Sequence, residues 1–368
     1  MNMKHLIYGM SIFALAVGMA GCEDETNVSG ITFVVESLTL DIGKKGQVVV
    51  QPVPAGTSFD TRQIKWGTTD PVFATVTDFG IVTANEETQA DNPVFITATY
   101  GGKTLELPIT VIDPAGELPA RKGSWLFDNA SNPYEAAVGN AIVPCKDRWP
   151  SFENPTTDLN GFTVVPGPLP GDGALQVSRG YSLFANHGLV AKGVPGATRV
   201  NEYTILFWLK HLGHPDNGGW KPYLKIRRPL QDPAVGDKGN NGDDFGLRSG
   251  ARSWGWDQWV RDPIEGKMDG FDPKKWNRVV LTFKNGDGGF MRIYWNGSLI
   301  AQKDFNDPDY ERTTLSVDGL GLFTRGSDGN PSINDEDDVQ VTELAIWDVA
   351  LNDNQVGKLD RLINKGIH

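Results

Sequence analysis

Apolar positions along this chain recur with a period of two, in short runs. Residues 32–35, 47–51, 95–99, 203–209 and 279–283 are alternating or β-branched, and Gly, Pro, Asn or Asp bound each of them. Successive residues of a strand face opposite ways, so this pattern predicts strands with one face buried. Many short strands separated by turn signals predict sandwiches or barrels. The 43 glycines and 23 prolines furnish the turns. The 3.6-residue period of an amphipathic helix is nearly absent before Asn352, which is placed to cap a short final helix through Ile363. The fold class expected is all-β.

Two stretches carry the pattern. In the first, residues 31–113, Ser37-Leu38-Thr39-Leu40 precedes Gly43 and the run Gln47-Val48-Val49-Val50; IKWGTTDPVFATVTDFGIVTA and VFITATYGG follow. Trp66, Val76, Ile81 and Ile96 would fill the space between two sheets. This order resembles the bacterial Ig-like domain, group 2. The resemblance makes Trp66 the core tryptophan, Asp70-Pro71 a turn, Ala74-Thr75-Val76 a strand and Gly80 the tight turn before Ile81. It implies a β-sandwich acting as a spacer or adhesion module. Residues 114–122, with Pro114, Gly116 and Pro119, predict an extended, semi-rigid linker.

The second stretch, residues 123–368, opens with Trp125-Leu126-Phe127-Asp128-Asn129 and closes with Val339 to Trp347, with YTILFWLK and WNRVVLTFKNGDGGFMRIYWNGSLI between. Asn285-Gly286 and Asn296-Gly297 are turn dipeptides joining a meander. These pieces resemble the laminin-G-like, concanavalin A-like jelly roll, and Leu351 to Gln355 resembles the ending of such domains. The resemblance implies a sandwich whose first and last strands pair. Trp125, Trp208, Trp276, Trp295 and Trp347 sit in or beside apolar strand patterns and are expected in the core.

Before both stretches stand basic Lys4 and His5, an apolar run from Leu6 to Met19, and Ala20-Gly21-Cys22. The run is shorter than the roughly 20 residues a helix needs to cross a bilayer, and its flanks are those of a signal peptide over residues 1–21. Met19-Ala20-Gly21-Cys22 resembles a lipobox, which implies lipidation of Cys22 and a tether over residues 22–30. Glu23-Asp24-Glu25 resembles the surface-export signal of Bacteroidetes lipoproteins. The localisation implied is the outer membrane, lipid-anchored and facing outward, with the membrane reached through the anchor alone. Cys22 would be consumed by lipid, which leaves Cys145 as a small buried hydrophobe and no disulfide framework.

The formal net charge is −12, and removal of residues 1–21 makes it one unit more negative. A surface of this sign repels phosphate backbones, which argues against nucleic acid as a partner. The stretch DKGNNGDDFGLRSGARSWGWDQWVRD points elsewhere. Trp254, Trp256 and Trp259 crowd together there amid Asp243, Asp244 and Arg248, and Trp220 stands beside Asp216 and Asn217. Indole faces stack on the apolar face of a pyranose while carboxylates, amides and guanidinium groups bond its hydroxyls. Trp254 and Trp256 share strand parity. The competing reading packs these rings into the sandwich core.

Catalysis on such a jelly roll needs two carboxylates on one face. Asp335-Glu336-Asp337-Asp338 lacks the E-x-D-x-x-E spacing of the related glucanases, with Val341 where a third carboxylate should stand; Glu343 follows. No catalytic residue is assigned. Structural calcium is the one cofactor suggested: Asp337 and Asp338, joined by Asp128, offer hard oxygens, although no EF-hand spacing fixes them and a solvated loop competes. His211-x-x-His214 has no helical setting, so the histidines make no metal site. The leading expectation is a surface lipoprotein binding a polysaccharide or glycoconjugate glycan. Its rivals are a glycoside hydrolase or lyase, using Asp337, Asp338 or Glu343, and a protein-binding adhesion or structural component.

Overall fold

The computed structural model describes residues 28–146, 155–178, 180–190, 192, 199–212, 220–225, 244–248, 253–256, 265–267, 272, 274–286, 288–305, 315–317, 319–323 and 338–364. The strands at 220–225, 244–248, 253–256 and 265–267 are described by backbone path and pairing. The chain divides into two units, Met1–Pro114 and Ala115–His368, and the regular elements of the described residues are β-strands except for one α-helix and a single 3-10 turn.

In the first unit, Leu38–Asp41, Lys103–Ile112, Val94–Tyr100 and Lys65–Thr68 lie in that order in one sheet, and Lys45–Gln47, Ile81–Ala84 and Ala74–Val76 in another. Alternation decides what goes inside: Val94, Ile96 and Ala98 are buried from one strand, and Val82 and Ala84 from the facing sheet. Half-buried Trp66 and Val76 pack against this core. Ile81, expected inside, is 36% exposed, whereas Val82 is 0% exposed. The correction follows from the turn. Gly80 adopts a left-handed φ of +72° and its carbonyl accepts from the Val48 amide at 2.8 Å, so the inward parity begins one residue later.

The expected strand at 47–51 is also two. Lys45–Gln47 pairs with Ile81–Ala84, while Val50–Val53 pairs with Gly30–Phe33, so the chain changes sheet at Val48 and Val49. Gly80 sits at this crossing, where an added Cβ would lie 2.6 Å from the Val48 carbonyl oxygen and 2.9 Å from the Trp66 ring. Gly80→Ala combines left-handed strain with a clash against backbone. It is expected to lower the stability of the first unit by about 2 kcal/mol or more, read by urea unfolding. An unchanged midpoint would contradict this account of the turn.

The second unit stacks two sheets. One runs Phe162–Pro166, Gly173–Val177, Val339–Trp347, Glu202–His211, Asn277–Lys284, Gly289–Trp295 and Ser298–Phe305, with Gly123–Trp125 also paired to Val339–Trp347. First and last strands therefore pair as expected. The other sheet runs Val143–Cys145, Ser182–Ala185, Leu320–Leu322, Trp220–Lys225, Asp244–Arg248, Ser253–Trp256 and Glu265–Lys267. Between them lies a core that includes Trp125, Tyr203, Phe207, Leu281, Phe283, Leu183 and Leu322. Cys145 is buried.

The outer face of the first of these sheets is apolar too, because a helix covers it. Leu206, Val280, Tyr294, Ala345 and Trp347 pack against Val356, Leu359 and Ile363 of the Asp353–Asn364 helix. Asn352 caps that helix: its Oδ1 accepts from the Gln355 amide at 3.0 Å, and Gln355 Oε1 accepts from the Asn352 amide at 3.0 Å. This reciprocal pair is a capping box that fixes the helix start. Trp125 and Trp347 are buried, and Trp208 and Trp295 are half-buried against the cores. Trp276, expected in the core, precedes the Asn277–Lys284 strand and is only half-buried, outside the core clusters of the described residues. Pairing begins with Asn277 opposite Leu209, one residue too late to carry it inside.

Residues 115–122, expected as a linker, make their contacts within the second unit. Leu118 packs in the cluster beneath the helix. The Pro119 carbonyl accepts from Trp347 Nε1 at 3.0 Å, the Gly116 carbonyl from Lys358 Nζ at 2.6 Å, and the Lys122 amide donates to the Ile346 carbonyl at 2.8 Å.

Candidate functional site

The aromatic stretch occupies neighbouring strands of the second sheet in the C-terminal unit. Register places Trp220 opposite Arg248, Arg248 opposite Ser253, Leu247 opposite Trp254 and Phe245 opposite Trp256. Directly opposed residues of antiparallel strands share a face. The pairing series from Trp256 through Phe245, Leu224 and Leu322 to Leu183 puts positions 254 and 256 on the face that carries Leu322 and Leu183 into the core. Positions 220, 244 and 248 fall on the alternate face. The register therefore keeps Trp254 with Trp256, as strand parity implies, but sets both on the other side of the sheet from Trp220, Asp244 and Arg248. Trp259, Asp243 and Asp337 lie outside the described residues.

Glu343, a carboxylate of the enzymatic rival reading, stands at a bulge. Leu206 pairs with Ala345 and Trp208 with Thr342, so one extra residue of the Val339–Trp347 strand is accommodated there, and Glu343 takes a φ of +46°. It is 1% exposed. Arg121 Nη2 lies 3.3 Å from its Oε1, and the Arg121 guanidinium lies over the Trp347 ring at 5.3 Å. Arg278 bears on the same carboxylate. Its guanidinium lies 5.2 Å from the Trp208 ring centre and pairs with Asp360 of the capping helix. Burial pulls the Arg278 pKa below its usual value, and the Glu343 charge acts in the opposite direction. A carboxylate buried in the sheet and paired with Arg121 serves the fold, whereas hydrolysis needs its carboxylates flanking a substrate bond. The bulge that seats it leaves no mark in the sequence pattern.

Of the calcium ligands expected from the sequence, the two that are described, Asp128 and Asp338, stand apart. Asp128 follows Phe127, whose φ is +60°, and its Cα lies 2.5 Å from where a Cβ on Gly173 would stand. Thr342 Oγ1 lies 2.9 Å from the Gly173 carbonyl oxygen. Asp338 is four residues further back along the Val339–Trp347 strand direction from Thr342, about 13 Å at strand rise. Asp128 borders a pocket of about 250 Å³, also lined by Asn129, Asn132 and Glu135. Asn129 Nδ2 donates to Glu135 Oε2 at 2.8 Å, which ties both to the loop. Among the described residues, no three His, Cys, Asp or Glu side chains are grouped to hold a metal ion. His187 and His211 are buried; His214 lies outside the described residues.

One polar cluster was not singled out from the sequence. Lys146 Nζ donates to Asp158 Oδ2 at 2.6 Å and the Tyr181 hydroxyl donates to the same oxygen at 2.8 Å. The Tyr181 ring packs edge-on to Phe162 at 5.3 Å, and a Cβ on Gly161 would collide with it. Asp158 is held at about 2, below the usual 3.8, chiefly by the bond from Lys146 and then by that from Tyr181. Its folded pKa is depressed, so its contribution is present above the unfolded value and lost as pH falls through about 2. Acid unfolding of Asp158→Asn should accordingly show a shallower loss of stability between about pH 4 and 2 than the parent. Identical slopes would remove this role for Asp158.

Several known proteins resemble this chain. A polysaccharide lyase 8 family protein of Enterococcus faecalis is 30% identical over 95 residues, 26% of this chain, and the chain spans only 7% of that relative. The botulinum neurotoxin type G receptor binding domain superposes with a TM-score of 0.43 at 12% identity, covering 67% of this chain and 52% of that one. The botulinum neurotoxin serotype D binding domain gives 0.44 at 16% identity, covering 66% and 50%. No helix among the described residues is long and apolar enough to cross a membrane. Residues 186–357 match the family model of the concanavalin A-like lectin/glucanases superfamily, and the second unit contains a laminin-G-like, concanavalin A-like jelly-roll domain.

Proposed function

We propose that this chain is a surface lipoprotein whose jelly roll binds a polysaccharide or glycoconjugate glycan. The signal peptide spans residues 1–21, lipid on Cys22 anchors the protein in the outer membrane, and the Ig-like unit serves as spacer. The observation that carries the reading is the family match across residues 186–357, which takes in strands of both sheets of the second unit. The polysaccharide lyase relative supports a polysaccharide ligand. The net charge of −12 argues against nucleic acid. Binding is favoured over bond cleavage by the position of Glu343, which is buried and paired with Arg121.

Two measurements test the proposal. Soluble chain beginning at residue 23, applied to an array of plant, microbial and host polysaccharides, should retain at least one class of glycan; retention of none overturns the reading. In cells, a labelled fatty acid should enter the full-length protein and be lost with Cys22→Ser. Label that persists in the variant would contradict the anchor.

A further inference from the structure

A two-stranded ribbon gives the first unit one face without charge. Gly30–Phe33 pairs with Val50–Val53, and the Val34 amide donates to the Val49 carbonyl at 3.0 Å, which carries the register one step further. Directly opposed residues share a face, so Ile31, Phe33, Val50 and Pro52 form one side and Gly30, Thr32, Val34, Val49, Gln51 and Val53 the other. Ile31 is buried, and Phe33 and Val50 pack against the core with it. The second side faces away from that core: Val34 is 56% exposed, Val49 51% and Val53 41%, and none of its six residues is charged. Phe79 stands at the Val49 end. It precedes Gly80, whose carbonyl accepts from the Val48 amide at 2.8 Å, and it is 77% exposed. Exposed valines scattered singly are ordinary. Several of them gathered with a phenylalanine amount to a few hundred Å², the size at which an apolar patch marks something that covers it.

The place where the chain enters the ribbon says what that is. Ser29 is fixed there, its amide and hydroxyl donating to the Val53 carbonyl at 2.9 and 3.0 Å. Cys22 lies seven residues before Ser29, a reach of about 25 Å at most, and the face runs about 13 Å from Val53 to Val49 at strand rise. Lipid on Cys22 therefore holds the whole face within one tether length of a bilayer. Charges around the face are of both signs. Lys103 Nζ donates to the Ser29 carbonyl at 3.4 Å at one end; at the other, Glu36 and Asp78 adjoin Val35 and Phe79, and Lys45 shares a strand with Gln47. Such a mixture suits a neutral surface, whereas an anionic one is sought by clustered Lys and Arg. We propose, resting on the Cys22 anchor put forward above, that this ribbon face and Phe79 lie on a lipid surface of zwitterionic headgroups, with the phenylalanine entering the boundary between headgroups and acyl chains. The first unit then seats the chain on the bilayer as well as spacing the jelly roll from it.

Lipidated protein carrying Cys145→Ala, reconstituted into phosphatidylcholine vesicles, tests this with a polarity-sensitive dye. The dye is placed by Gln51→Cys on the ribbon face, or by Glu106→Cys at an exposed position of another strand of the same unit. Compared with the chain from residue 23 in buffer, emission from position 51 should shift to the blue and be quenched by brominated acyl chains, and both effects should hold in about 0.5 M sodium chloride. Position 106 should show neither. Phe79→Ser should lower the ratio of docked to undocked protein about tenfold, and its thermal unfolding should match the parent, which separates loss of docking from loss of fold. Protein that floats with the vesicles while the dye at position 51 behaves as it does in buffer overturns the inference and leaves the anchor standing. Equal quenching at positions 51 and 106 does the same, as does a blue shift at position 51 already present in buffer together with a dimer in sedimentation, which assigns the face to a second copy. Protein that does not float with the vesicles overturns both.

Discussion

Trp347→Ala should lower the stability of the second unit by about 3–5 kcal/mol. The indole is 1% exposed and joins three parts of the unit. It packs in the cluster formed by Leu206, Val280 and the capping helix. Its Nε1 donates to the Pro119 carbonyl, fixing the segment that enters the unit. The Arg121 guanidinium lies over its ring. Truncation opens a cavity under the helix and removes the hydrogen bond that seats residues 116–122. For a unit of this size the melting temperature should fall on the order of 10 °C, with the first unit's unfolding unchanged. A loss below about 1 kcal/mol would mean that the helix repacks freely and does not seal the sheet.

The second large effect is expected from the buried charges. Arg121→Met should cost about 3 kcal/mol, because it leaves the 1% exposed Glu343 with less positive charge around it. The diagnostic is coupling, since a single loss could reflect packing of the long side chain. If Arg121 and Glu343 act as a pair, Glu343→Gln should cost less in the Arg121→Met background than in the parent, by about 1–3 kcal/mol in a double-mutant cycle. Strict additivity in chemical denaturation would show that the 3.3 Å approach contributes nothing of its own.

Strand existence was legible in the sequence wherever one face is buried and the other is not. Residues 203–209 and 279–283 fall within the paired strands Glu202–His211 and Asn277–Lys284, and the Asn-Gly dipeptides stand at the turns on either side of Gly289–Trp295. Asn352 was readable as a cap because its partner Gln355 is only three residues away. What could not be read was set by tertiary pairing. The sheet change at Val48 and Val49 interrupts an unbroken valine run. The parity slip at Ile81 depends on a turn conformation, and residues 115–122 look like a linker until Leu118 and Pro119 meet the helix and Trp347.

The candidate site failed to declare itself for a related reason. Alternation says that Trp254 and Trp256 share a face, but an indole on a core face and an indole on a ligand face have the same local sequence signature. Only pairing through Leu224 to Leu322 and Leu183 relates their parity to the core. Glu343 was visible as a carboxylate, yet the bulge that turns it toward Arg121 arises from a one-residue mismatch with the neighbouring strand.

Differential scanning calorimetry of the chain from residue 23, with and without saturating polysaccharide, tests most directly whether the jelly roll is the glycan-binding unit. Ligand that binds only the folded state stabilises it by about 2.7 kcal/mol at a hundredfold excess over Kd. The transition that Trp347→Ala lowers should therefore rise with ligand, while the transition that Gly80→Ala lowers stays where it is. A rise confined to the Gly80-sensitive transition, or no rise in either with any polysaccharide, would contradict the account.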